Sequence, residues 1–235
     1  MFESNQSVGE IVSRMPKAGD IFKQYRIDFC CGGNRTLKKV LAEKGLDEGE
    51  ILGRLEAAYR EGETGRAPAM DFTEMKPVEL AEYIEEKHHG YLKKIMPELD
   101  ELTARIMKVH GLRHSELFKV HKLFAALRAE LEEHLVKEEE ILFPKIREYQ
   151  ERRSIRLLAE IGRIIRETED EHEAAGKILK ELRDITDDYK VPDDGCGTYR
   201  RAYEKLEEME TDVFEHIHLE NNILFKKIGV DVDLM

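Results

Sequence analysis

From Pro77 onward the apolar residues recur every three or four positions and nowhere at every second one. A chain patterned this way buries those residues only as long amphipathic helices packed on one another, so no sheet is expected. The pattern predicts four helices, over 77–108, 114–149, 152–186 and 198–227. Turns fall near VHGLRH, near YQERR and at DDYKVPDDGCG, where glycine, proline and clustered polar residues interrupt the period.

The four helices also repeat one another. HLVKEEEILFPKI, beginning at His134, aligns with HIHLENNILFKKI, beginning at His216, at an offset of 82 residues. HHGYLKKIMPEL aligns with EHEAAGKILKEL at an offset of 83, which pairs His89 with His172, Ile95 with Ile178 and Leu99 with Leu182. Two helical hairpins of common pattern, packed together, make an antiparallel four-helix bundle with approximate twofold symmetry.

Polar residues interrupt the apolar stripes themselves. The second helix reads Leu123, Leu127, Leu131, His134, Glu138, Ile141, and the fourth reads Leu206, Met209, Val213, His216, Glu220, Ile223. The third reads Ile161, Ile165, Thr168, His172, Ala175, Leu179, Leu182. Burying a carboxylate without a partner costs several kcal/mol, so these positions require a neutralising group. At a rise of about 1.5 Å per residue, the chain paths between successive histidines nearly cancel across each turn, which places the polar groups in one layer.

The candidate metal ligands are therefore His89, His134, Glu138, His172, His216 and Glu220. Six imidazole and carboxylate donors without a thiolate suit iron or manganese better than one zinc, and two carboxylates can bridge two ions. The expected cofactor is a pair of non-haem iron ions with an oxide or hydroxide between them. His88 is the rival to His89, because Ile84, Ile95 and Leu102 define a face for it; the internal repeat favours His89. Glu86 and Glu169 are expected outside the ligand set, and in Glu138–Glu140 only Glu138 is expected to face inward. Glu171, beside His172, is read as an outer group lining an access path. His110, His114, His121 and His218 are read as surface or turn residues.

Ahead of the bundle lies a segment of different texture. Residues 1–62 hold four short helical stretches, SVGEIVSRM, KAGDIFKQY, RTLKKVLAEKG and DEGEILGRLEAAYRE, and form a small helical N-terminal domain. Residues 63–76 have the glycine and proline content of a linker, and 77–235 form the bundle domain. About 60 residues make a marginal core, which a homodimer through this module would enlarge. Cys30 and Cys31 occupy the turn DFCCGGN. Adjacent cysteines close a strained disulfide, so they are expected as exposed, reactive thiols whose pKa nearby amide dipoles lower. Cys196, in the third loop, is left out of the metal assignment.

The segments HLVKEEEILFP, EDEHEAAG and HIHLENNILF, together with DFCCGG, resemble the hemerythrin-like di-iron proteins of the RIC (repair of iron centres) family. The resemblance covers nearly the whole chain. It implies that His89, His134, Glu138, His172, His216 and Glu220 bind two irons, with Glu138 and Glu220 bridging. It implies mending of iron–sulfur clusters damaged by nitrosative or oxidative stress, by iron donation, by NO chemistry, or by both. Damaged iron–sulfur proteins are then the partners, NO or O2 the small ligands, and Cys30 and Cys31 contact the client or carry redox chemistry. Oxygen-carrying hemerythrins have a second histidine four residues after the first on the third helix, where this chain has Gly176; an exchangeable iron position follows. The rivals are an NO- or peroxide-reducing di-iron enzyme and an O2- or NO-binding sensor.

Charge narrows the partners further. A formal net charge of −12 with no basic stripe argues against nucleic acid. No apolar run is long enough for a bilayer and no signal-peptide pattern opens the sequence; with three cysteines in no disulfide framework, the reducing cytoplasm is the expected location.

Overall fold

The computed structural model describes residues 2–63 and 71–229. Among them the strand-like pairing is a single bridge between Ser7 and Thr36, and all regular structure is helical. Residues 64–70 of the expected linker lie outside the described residues. No helix among the described residues is long and apolar enough to cross a membrane.

The N-terminal stretches form α1 (Val8–Arg14), α2 (Ala18–Gln24), α3 (Leu37–Lys44) and α4 (Glu48–Glu63). Local chemistry sets their starts and stops. Ser7 and Glu10 exchange hydrogen bonds with each other's backbone N–H at the head of α1, and the Thr36 hydroxyl accepts from the Lys39 N–H at the head of α3. Gly45 ends α3 at φ 65°, a left-handed conformation that glycine adopts without steric penalty. Val8, Ile11, Phe22, Leu37, Leu41, Ile51 and Leu55 are buried together, with Phe214 packed against them.

The rest of the chain is an antiparallel four-helix bundle. Its first rod is α5 (Pro77–Ile84) and α6 (Gly90–His110), and its second is α7 (Glu116–Lys137) and α8 (Phe143–Arg152). Its third is α9 (Ile155–Ile185), and its fourth is α10 (Gly197–Leu219) and α11 (Phe225–Ile228). Within three of the rods the α-helices are joined by one π-helical turn each, Glu85–His89, Glu138–Leu142 and Glu220–Leu224. By backbone contacts the chain divides into two compact units, Ala81–Val213 and a second one formed by Met1–Leu80 with Phe214–Met235.

The stripe expected on α9 is buried at every position named above, from Ile161 to Leu182. The second rod departs from expectation below Glu138. Ile141 is 45% exposed, whereas Leu142, Phe143 and Ile146 are buried. The π turn explains the difference: it adds one residue to the winding, so every inward position beyond it moves on by one.

Candidate metal centre

Each polar interruption of the stripes is buried. His89, Glu138 and Glu220 are completely enclosed, and His134, His172 and His216 nearly so. Within the unit Ala81–Val213, Glu138 Oε2 lies 3.4 Å from His89 Nε2 and 3.2 Å from His134 Nε2. The His134 and His172 rings meet edge to face at 4.9 Å. On the fourth rod, His216 Nε2 lies 3.1 Å from Glu220 Oε2. Adjacent ligands of one ion, each about 2.1 Å from it at a right angle, stand about 3 Å apart, so these spacings fit shared coordination.

The donors form two quartets. His89, Glu138, His216 and Glu220 offer ligand atoms within 4.8 Å of one another, as do His134, Glu138, His172 and Glu220. Glu138 and Glu220 belong to both. Hard carboxylate and borderline imidazole donors in this ratio fit iron or manganese.

Outer contacts fix which ring nitrogen faces the centre. His89 donates from Nδ1 to Glu139 Oε1 at 2.8 Å, and Lys93 holds the same carboxylate at 2.6 Å. His134 donates from Nδ1 to Glu171 Oε2 at 2.9 Å, and Lys137 holds Glu171 at 2.6 Å. Each bond leaves the Nε2 lone pair directed at the centre. Partial burial pushes Glu139 up, but hydrogen bonds from Lys93 and His89 outweigh it and hold the carboxyl below its usual range. The His134 hydrogen bond likewise holds Glu171 low, against burial and with help from Lys137.

Glu139 was expected on a solvated face, since on an α-helix it stands about 100° from Glu138. It lies instead in the π turn that begins at Glu138, and its side chain is only 19% exposed. Glu171, expected as an outer group, accepts from Nδ1 of His134. His88 is buried but turns its Nδ1 to Asp212 at 3.0 Å and is absent from both quartets. His218 is a clear correction to the surface reading. It is buried, with Nδ1 3.3 Å from the Phe29 carbonyl and Nε2 3.4 Å from Ser13 Oγ, and burial pushes its pKa down to about 4.

The cysteine turn also differs from expectation. Cys30 is buried, its thiol 3.3 Å from Asp28 Oδ1 and 3.8 Å from Cys31 Sγ. The Cys31 contact, burial and the Asp28 charge push the Cys30 thiol well above its ordinary range. Cys31 is partly exposed, and Asp28, Cys30 and Cys31 form a third group of converging donors. Asn222 holds this turn, donating to the Phe29 and Cys30 carbonyls at 3.2 and 3.0 Å. Space there demands glycine: a Cβ on Gly33 would stand 2.4 Å from Asn222 Oδ1 and 2.7 Å from the Phe29 carbonyl. His216 and Glu220 thus alternate with His218 and Asn222 on one stretch of helix, the first pair in the donor quartets and the second on the backbone of the thiol turn.

Residues 80–228 match the hemerythrin HHE cation binding domain, and residues 4–59 match ScdA_N, a domain of unknown function. The iron-sulfur cluster repair protein ScdA of Staphylococcus epidermidis is 31% identical over 231 residues, which span 97% of this chain and 100% of that protein. The iron-sulfur cluster repair protein YtfE of Pectobacterium atrosepticum is 32% identical over 226 residues, 95% of this chain and 96% of that protein. With its matching HHE domain and these near full-length relatives, the chain belongs to the hemerythrin-like ScdA/YtfE family.

Proposed function

We propose that the chain holds two iron ions in the layer of His89, His134, Glu138, His172, His216 and Glu220, and that it restores damaged iron–sulfur clusters. The observation that carries this reading is the pair of buried donor quartets with Glu138 and Glu220 in common. The names of the ScdA and YtfE relatives support the client class. Bound iron supplies one-electron chemistry and affinity for small ligands such as NO.

The protein's own residues prepare that site. Glu139 and Glu171 keep the ring protons of His89 and His134 on Nδ1, away from the donor side. Phe143 lies parallel to the His89 ring at 5.6 Å and covers it from water. Gly176, buried on α9 one turn beyond His172, brings no side-chain donor, so the donor set stays open at that point. Openness favours release or exchange over storage of a bound gas. It also favours a second reading, reduction of NO or peroxide at the open position.

The direct test incubates the iron-loaded protein with a cluster enzyme inactivated by NO. Recovery of that enzyme's activity, faster than with an equal concentration of free ferrous iron, is the expected result. Equal rates would remove the repair function, and catalytic N2O formation without a client would establish the reductase instead. Replacing Glu171 by alanine tests the outer support. Iron affinity should fall about 10- to 100-fold, read by chelator competition, with helix content unchanged.

A further inference from the structure

The third cysteine stands apart from the donor quartets and from the thiol turn. Cys196 is exposed and immediately precedes α10. Its sulfur lies 3.2 Å from Nε2 of His110, the last residue of α6. Backbone N–H groups of Thr198 and Tyr199, in the first turn of α10, also bond to the sulfur. A ring nitrogen and two amides therefore converge on one thiol at the positive end of a 23-residue helix.

The imidazole is held in place. The His110 ring meets Tyr199 edge-on at 5.4 Å and His114 at 6.3 Å. Tyr199 is buried and bonds through its hydroxyl to Tyr203 at 3.1 Å. The neighbouring charges are engaged with one another. His114 bonds Asp194 at 2.8 Å and Glu116 at 3.3 Å, and Arg113 lies 3.6 Å from Asp194. The Asp194 carboxylate is thus drawn onto His114 and Arg113 rather than facing the sulfur bare. These four side chains do not point at a common centre as ligands would, because His114 spends both ring nitrogens on carboxylates. The arrangement is that of a nucleophile and its imidazole partner.

We propose that Cys196 and His110 form a surface thiol centre that exchanges with low-molecular-weight disulfides and so takes a removable mixed-disulfide cap. In the exchange the Cys196 thiolate attacks one sulfur of the disulfide. The S–S bond of the small molecule breaks as the new bond to Cys196 forms, and the other half leaves as a thiolate that takes a proton from water. One disulfide is consumed and one is made, so no outside oxidant is needed, and a small thiol reverses the reaction. The His110 hydrogen bond, followed by the amides of Tyr199 and Thr198, lowers the thiol pKa to about 7 and leaves much of it ionised near neutrality. Cys30 cannot compete, being buried against Asp28 with its thiol pushed up.

The test uses the full chain and oxidised glutathione, with peptide mapping of the cap and rates from pH 5.5 to 10. Cys196 should be capped before Cys31, with half-maximal rate near pH 7, and Cys196→Ser should lose that cap while keeping its metal content. His110→Gln should slow capping about fivefold or more at pH 6. Above pH 9.5 it should equal or exceed the wild type, because a less acidic thiol is the better nucleophile once ionised. A merely structural histidine would not produce that crossing. Capping of Cys31 first, or one pH profile for both proteins, would overturn the proposal. Alkylation of unmodified wild type reads the same ionisation without a variant, and a Cys196 midpoint of 8.5 or above would overturn it too.

Discussion

Glu138→Ala should strip the chain of metal, taking iron from about two ions per chain to nearly none when the protein is made with ample iron. The reason is membership: Glu138 belongs to both donor quartets, and each ion would lose a carboxylate oxygen in an enclosed site. Glu220→Ala should match it. His172→Ala takes a donor from one quartet only and should keep about one ion. Elemental analysis of the three variants beside the wild type decides the matter, and equal losses in all three would contradict shared carboxylates. Stability should separate in the opposite sense. With metal present the wild type unfolds at the higher temperature; after chelation Glu138→Ala should unfold later than the wild type. The variant no longer carries the cost of taking a carboxylate out of water, and such a group is kept for its ligand rather than for the fold.

The largest loss of stability is expected from Arg183→Met. Arg183 Nε donates to both oxygens of Glu210, at 3.1 and 3.0 Å, with a further contact from Nη2, and Glu210 is completely buried. The same guanidinium bonds Asp188 at 3.1 Å and lies 5.1 Å from the Tyr189 ring centroid. Asp187, Asp188 and Tyr189 hold φ of 50°, 57° and 57°, a left-handed run that side chains seldom adopt, and Arg183 fastens its second and third members. Removing one partner of a buried pair costs about 3–5 kcal/mol, because the remaining charge is left in the core. For a chain of this size that lowers Tm by about 10 °C in calorimetry. Arg183→Met combined with Glu210→Met should recover most of the loss. A double variant no better than the single one would show that the arginine acts through the loop alone.

The bundle and its buried polar positions are legible because burial leaves a simple trace. On α9 every third or fourth residue from Ile161 to Leu182 is apolar except Thr168 and His172, and a polar residue inside such a stripe has to be satisfied from within. The duplication at an offset of 82 relates His134 and Glu138 to His216 and Glu220 in the sequence itself. The π turns left no comparable trace. Their side chains fit α-helical propensity, and the extra residue shows only when Ile141 is found outside and Leu142 inside. Glu139 was misread for that reason. His218 and Cys30 were misread for another. The turn that carries Phe29 and Cys30 packs on the fourth rod, where His218 meets the Phe29 carbonyl 189 residues away and Asn222 the Cys30 carbonyl 192 residues away, and no periodicity reports contacts at such separation.

The π turns beginning at Glu138 and Glu220 keep the spacing of the sequence repeat, so the irregularity is duplicated along with the ligands. Anyone transplanting this centre into an idealised scaffold inherits that requirement. Straight rods carrying the same six side chains would aim Glu139 outward and rotate the packing beneath both carboxylates by roughly a quarter turn, since one residue corresponds to about 100°. The bulges are part of the blueprint, and a design tool that smooths them away would discard the backbone that makes the chemistry fit.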